Sequence, residues 1–156
     1  MANINSTQHE ELAPQCGELL SCWGTCEIAT AQSQNDTVTF FTIPAGTTVH
    51  GGWVRGDDLD TGTETYQFDI GDASEPARFL DSGVITGDAV AGTKPEVGIA
   101  IPLFGTLKDG PYTYTADTSI LGKVIAAAHA GGTGTISLWL WTTYNDPRVS
   151  PPSKPL

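Results

Sequence analysis

Three cysteines and a histidine near the start of the chain have side chains that can bind zinc. They are His9, Cys16, Cys22 and Cys26. Structural zinc sites usually contain two pairs of ligands with short fixed spacings, such as cysteines with about two to four residues between them. Five residues separate Cys16 from Cys22, so only Cys22 and Cys26, with three residues between them, have such a spacing. The spacing therefore argues against a metal site. An odd number of thiols on an N-terminal arm favours disulfides between chains, although three reduced thiols are equally compatible with a reducing cytoplasm.

Five aspartates fall in one part of the chain and could supply oxygen ligands for calcium. They are Asp57, Asp58, Asp60, Asp69 and Asp72. Calcium loops place their ligands at fixed short intervals around a glycine, and this run lacks that spacing. A solvated acidic turn is the simpler interpretation, so we expect no metal and no cofactor.

The remaining polar groups give no pattern typical of a catalytic site. His9, His50 and His129 lie far apart in the sequence, and no G-x-S-x-G segment is present. Gly122 and Lys123 lack the upstream glycine and the following Ser or Thr of a phosphate-binding loop. We therefore expect no catalytic residues and no enzymatic activity.

Two tryptophans stand on an unusual face of the last predicted strand, residues 135–144. Trp139 and Trp141 alternate with Ile136, Leu138 and Leu140, so they lie on the face that would ordinarily be polar. Each indole buries about 150 to 250 Å² when covered. A second layer of the same chain, a neighbouring subunit or a stacked sugar could supply the cover. We expect a subunit contact.

The strands that must position these groups are clearest between residues 36 and 70. Residues 37–43 and 47–54 are rich in β-branched and aromatic side chains, and Pro44 and Gly46 break them with a turn. Further along, a period of two predicts a strand with one buried face. The side chains expected on that buried face are Trp53, Tyr66, Phe68 and Ile70.

Composition and pattern together predict an all-β fold. The 156 residues suit one domain, and eighteen glycines and ten prolines indicate many tight turns. Residues 120–129 are ambiguous between helix and strand, and we interpret them as a strand. The expected fold is a β-sandwich or jelly-roll of about eight antiparallel strands, with a body at 27–145, a cysteine-bearing N-terminal arm at 1–26 and a proline-rich C-terminal arm at 146–156.

Charge excludes some partners. The formal net charge is −11 at pH 7, and such a field repels nucleic-acid phosphates and anionic membranes. The first residues lack the basic and apolar regions of a signal peptide, and no run of about 18 apolar residues occurs. We therefore expect synthesis in a host cytoplasm, with no nucleic-acid and no membrane partner.

The order of turns and strands resembles that of a known family. The segments that carry the resemblance are IPAGTTVHGGWV, DDLDTGTETYQFDIGD, ARFLDSGV and YTYTADTSILGKVIAAAHAGGTGTISLWLWTTY. Over residues 37–144 they are similar to the small cement or decoration proteins of tailed-bacteriophage heads. The first 26 residues and the proline-rich tail depart from that pattern.

The resemblance implies a structural protein of the virion. It implies a β-sandwich or jelly-roll that binds the outer surface of an icosahedral head, has the major capsid protein as its partner and forms a homotrimer. It also implies no catalytic residues. The alternative from the residues is a carbohydrate-binding β-sandwich, either a separate module or a head-surface fibre that contacts the host through Trp53, Trp139 and Trp141.

Overall fold

The computed structural model describes residues 3–5, 8–9, 19–57, 59–60, 66–84, 100–103, 111–129 and 133–145. Within these ranges the chain forms eleven β-strands and no α-helix. The strands are β1 (Asn3–Asn5), β2 (Gln8–His9), β3 (Leu19–Ile28), β4 (Thr37–Ile43), β5 (Thr47–Gly56), β6 (Gln67–Gly71), β7 (Leu80–Val84), β8 (Ala100–Pro102), β9 (Tyr112–Thr113), β10 (Thr118–Ala126) and β11 (Gly134–Tyr144).

The strands form two sheets. Sheet A has the order β1-β4-β10-β6-β7, and sheet B has the order β2-β3-β11-β5-β8, with β9 also paired to β5. All the pairings are antiparallel except that of β1 with β4. The expected all-β sandwich is confirmed, and the strand count exceeds about eight because several strands are only two or three residues long.

The core lies between the two sheets and takes its side chains from alternate positions of the strands. Gly24 of β3 shows how close the layers come, because a Cβ there would lie 2.7 Å from the carbonyl oxygen of Phe40 in β4. The largest fully buried side chains are Tyr66, Phe40, Phe68, Phe79, Ile28, Ile43, Ile70, Leu103, Ile120, Ile136 and Leu138. Aliphatic and aromatic groups from both sheets therefore fill one continuous interior.

Two local expectations are confirmed. The turn between β4 and β5 closes through a hydrogen bond of 3.2 Å from the Thr47 N–H to the Pro44 carbonyl, and Gly46 adopts a φ of 89°, which suits glycine. Residues 118–126 form strand β10, so the segment that was ambiguous between helix and strand is extended. Ile120 and Val124 of β10 are buried.

The expected boundary of the N-terminal arm is wrong. Strand β3 begins at Leu19, and it pairs with β11 from Leu19 to Ile28. Residues 19–26 are therefore part of the sandwich, and shorter pieces of sheet occur at β1 and β2 as well. Residues 10–18 and the predicted arm at 146–156 lie outside the described residues.

Strand β5 contains a β-bulge, which reverses the expected direction of one tryptophan. The pairing with β11 shifts between Trp141 and Thr142, whose partners are Gly51 and Val49. The extra residue changes which side of the sheet the following residues face. Val54 is fully buried, whereas Trp53 is 37% exposed, so the prediction that Trp53 lies in the core is wrong.

Gly52 allows β5 to approach β11 beside this bulge. A Cβ at residue 52 would overlap the Trp139 carbonyl oxygen and lie 3.0 Å from the Leu140 Cα. Because the overlap is with backbone atoms, we expect Gly52→Ala to destabilise the fold by about 3 kcal/mol, the upper end of the usual cost of overpacking, which lowers Tm by about 6 to 12 °C for a domain of this size. Differential scanning calorimetry would measure the shift.

The control for this variant is Ser21→Ala, on the exposed side of β3. It should melt within about 2 °C of the wild type, because exposed substitutions change stability by about 0.5 kcal/mol or less. Equal melting temperatures for Gly52→Ala and the wild type would contradict the tight approach.

Candidate interaction surface

All four tryptophans of the chain lie on the outer face of sheet B. Trp139 of β11 pairs with Trp23 of β3 on one side and with Trp53 of β5 on the other. Trp141 follows two residues later on the same face. Three indoles therefore form a row across three neighbouring strands with a fourth beside them, and we call these four residues the tryptophan band.

The inward side chains of β11 hold the band in this orientation. Leu138 and Leu140 are fully buried, and alternation along the strand turns Trp139 and Trp141 outward. Strand β3 repeats the pattern. Cys22, Gly24 and Cys26 are buried on the core side, so Trp23, which lies between the first two, faces outward. Each indole is thus positioned by core packing on the opposite face.

The band is partly exposed in the single chain. Trp53 exposes 37% of its surface, and Trp23, Trp139 and Trp141 are half-buried. Because a tryptophan side chain carries about 150 to 250 Å², the four together leave at most about 400 Å² in contact with water. An apolar patch of this size is often functional.

Neutral hydroxyl groups border the band along the strands. On one side the Thr25 and Ser137 hydroxyls lie 3.0 Å apart, and on the other side the Thr143 hydroxyl lies 2.9 Å from Nε2 of His50. Arg55 pairs with Ser137 at one border of the band. These paired groups keep their remaining donor and acceptor capacity for solvent or a ligand.

The structure places Trp139 and Trp141 on the face that the sequence predicts, and their contact with another subunit stays a prediction. Sequence reasoning missed Trp23, because residues 1–26 were interpreted as an arm. The weak signal in the sequence is the run of small or apolar residues at every second position, Cys22, Gly24, Cys26 and Ile28, all of which are buried.

The structure corrects the expectation that Cys22 and Cys26 form disulfides between chains. Both side chains are in the core, with 1% and 0% of their surface exposed. The Cys22 thiol donates to the Leu140 carbonyl at 3.8 Å, and the Cys26 thiol donates to the Thr39 carbonyl at 3.4 Å. A disulfide from either cysteine to another chain would require that cysteine to leave the core. Cys16 lies outside the described residues, so for that residue the expectation stays a prediction.

Burial makes these thiols unreactive. It raises the pKa of Cys22 to about 12, and alkylation requires the thiolate. With iodoacetamide at pH 8, we expect Cys22 and Cys26 to stay unmodified in the native protein and to react in urea, as intact mass would show. The Cys16→Ser variant should then take up no label when native. The prediction would be wrong if the native Cys16→Ser variant took up label at Cys22 or Cys26.

The candidate calcium ligands do not converge, and those that are described hold turns of the backbone. Asp57 accepts from the Thr135 N–H at 2.7 Å, while Asp60 accepts from the His129 N–H at 3.0 Å. Asp69 accepts from the N–H of Ser82 at 2.7 Å. In the described part of the chain, no group of three or more His, Cys, Asp and Glu side chains could hold a metal ion. Asp58 lies outside that part.

The fifth aspartate is the centre of a polar cluster that links the two sheets. Asp72 follows β6 of sheet A, and Tyr114 follows β9 of sheet B, and the Tyr114 hydroxyl donates to Asp72 at 2.8 Å. Arg78 forms an ion pair with Asp72 at 2.6 Å and lies 3.7 Å from the ring centroid of Tyr112. We call these four residues the Asp72 clasp.

The charge state of Asp72 is set by its hydrogen bonds. Burial by itself would raise its pKa, but the bonds it accepts outweigh burial and hold the pKa well below the ordinary value of 3.8. The donors are Arg78, Ser74, Tyr114 and the N–H of Glu75. The carboxylate is therefore ionised in the folded protein at any pH at which the chain is ordinarily handled.

A lowered pKa in the folded state makes stability depend on pH. The contribution of Asp72 is complete above 3.8, its ordinary value, and is lost as the pH falls further, because the unfolded chain then binds the proton more readily. We expect Asp72→Asn to cost about 2 to 4 kcal/mol at pH 7. We also expect the variant to show a weaker loss of stability between about pH 5 and pH 2.

Urea unfolding followed by tryptophan fluorescence at several pH values would measure both effects. Asp81→Asn, at an exposed carboxylate of β7, is the matched control and should stay close to the wild type at pH 7. The clasp would lose its assigned role if Asp72→Asn and the wild type had parallel stability curves from pH 7 to pH 2.

Comparison with known proteins gives similarity at the level of structure. No protein-family model matches the sequence, and no curated protein matches it. A chain in the structure of the cyanophage Pam1 capsid asymmetric unit is similar with a TM-score of 0.65 and 23% identity, covering 90% of this chain and 97% of that chain. A chain in the capsid of Ralstonia phage GP4 is similar with a TM-score of 0.63 and 19% identity, covering 93% and 99%.

These similarities establish the fold. The chain shares nearly its whole length and its two-sheet architecture with chains that occur in phage capsids. Among the residues described, no helix is long and apolar enough to cross a membrane.

Proposed function

We propose that this chain is a structural protein of a bacteriophage virion, a cement or decoration protein that binds the outer surface of the head. The observation that carries the proposal is the likeness of the fold to a cyanophage capsid chain, over 90% of this chain and 97% of that one. The likeness therefore extends over the whole two-sheet fold and is not limited to one motif within it.

The physical properties of the chain suit a role in stabilising a shell. A protein that binds the assembled head and not its separate subunits stabilises the assembly by mass action. Many copies on one head add their modest contacts, so no single site needs high affinity. The net charge of −11 keeps the chain away from packaged nucleic acid.

The described polar groups support a structural role as well. Buried carboxylates serve as acceptors for turns or for the Asp72 clasp, and the sequence contains no nucleophile motif that would use them otherwise. We propose that the chain acts without catalysis, with the major capsid protein as its partner and as a homotrimer. The trimer and the partner rest on the family resemblance, and sedimentation of the purified chain would test the first.

Purified particles would test the location. From a culture that carries the gene, density-gradient particles should contain the chain at a fixed ratio to the major capsid protein. Antibodies against the chain should label intact heads, because the proposed site is on the outside. An antibody against the major capsid protein provides the positive control for heads.

Particles made without the gene would test the stabilising role. They should release DNA at a lower temperature, as detected with an intercalating dye, and purified chain added back should raise that temperature. The proposal fails if the chain stays at the top of the gradient, if antibodies label tails alone, or if added chain leaves the release temperature unchanged.

A further inference from the structure

We infer that the tryptophan band is a stacking site for a neutral oligosaccharide. The observation is the row of Trp23, Trp139 and Trp53 at one register across three strands, with Trp141 beside it. This binding function is separate from attachment to a head, and it belongs to the folded chain by itself.

The exposed area of the band suits a small flat ligand better than a second protein. A stable protein interface buries about 800 Å² on each partner, spread over about 20 to 30 residues, so the four indoles, which expose at most about 400 Å², could not form one without the residues around them. Since Trp53, the most exposed, shows only 37% of its surface, no indole projects far enough to fill a pocket on a partner, as interface anchors do. A ring laid flat on the sheet needs no such projection.

The charge around the band suits a neutral ligand. The chain has eighteen acidic residues, yet in the rows from Ser137 to Thr143 the outward positions of β3, β11 and β5 carry no carboxylate. Arg55, at the border, is the single formal charge in those rows. An anionic polymer would meet the repulsion of the whole chain, and a cationic ligand would find no carboxylate in these rows with which to form an ion pair.

The chemistry of the band matches the two kinds of surface that a sugar ring has. The face of an indole is electron-rich and attracts the polarised C–H groups on the flat face of a pyranose. Hydroxyls of Thr25, Ser137 and Thr143 lie next to the indoles and can both donate and accept, as the sugar hydroxyls at the ring edge require.

The spacing of the row indicates more than one sugar unit. Neighbouring strands lie about 4.8 Å apart, so Trp23 and Trp53, two strands apart, are separated by about 10 Å across the sheet. A single ring would cover only one indole and part of the next. We therefore expect affinity to rise from monosaccharide to short oligosaccharide, because each further ring finds another aromatic face.

The test is an array of neutral oligosaccharides probed with the purified full-length chain. It should contain linear chains of hexoses and of N-acetylhexosamines with one to six units, with sialylated and sulfated chains for comparison. We expect binding to at least one neutral series, stronger with length, and titration of the best member should change tryptophan fluorescence. Trp53→Ala and Trp23→Ala should each weaken binding at least tenfold, and Trp53→Tyr should retain part of it.

Thr42→Ala is the control, because Thr42 is exposed on β4 of sheet A, the other sheet from the band. It should bind as the wild type does. Melting curves would verify that every variant is folded, and sedimentation would verify that none changes its oligomeric state.

Three results would overturn the inference. The first is no binding to any neutral chain on the array, and the second is binding that Trp53→Ala and Trp23→Ala leave unchanged. The third is dissociation of an oligomer on replacement of Trp139 and Trp141 without any glycan binding by the wild type, which would assign the band to a subunit contact. None of these results depends on whether the chain is found on a phage head.

Discussion

The pairing of β11 with strands on both of its sides is the constraint on which the rest of the molecule depends. Residues 134–143 pair with β3, and residues 136–144 pair with β5. A strand held in this way cannot rotate about its own axis, so every side chain has one possible face. The core side chains on one face and the indoles on the other are two outcomes of the same register.

The register of β11 also explains why the tryptophans form an outer aromatic face and are not part of the core. Only 8% of the residues are aromatic, and all four tryptophans are outside the core. The interior is filled instead by leucine, isoleucine, valine, phenylalanine and tyrosine. The largest side chains therefore lie on the outer face of sheet B and not between the two sheets.

Sequence patterns predicted the parts of the fold in which burial alternates without interruption. Strands β4 and β11 and the turn at Pro44 follow from residue type and period, and the orientation of Trp139 follows with them. Strand β3 was missed because its buried positions hold small residues, such as Cys22 and Gly24, which give a weak hydrophobic signal. The orientation of Trp53 was missed because a bulge changes the parity of a strand. Gly51 and Gly52 beside it are a sign of a bulge or a close approach, but they do not fix which residue is the extra one. The row of three indoles includes Trp23 of β3 and Trp53 of β5, so only the orientation of Trp139 at its centre could be predicted from the sequence.

Strands β1 and β2 affect how the protein behaves in concentrated solution. Strand β1 lies along the free side of β4 in sheet A, and β2 lies along the free side of β3 in sheet B. Each sheet therefore ends, on this side, in a short N-terminal strand that covers part of the edge of a longer strand. Open edges of longer strands are templates on which other chains can add and aggregate. By pairing with three residues of β4 and two of β3, these strands shorten the open edges to which another chain could add on that side.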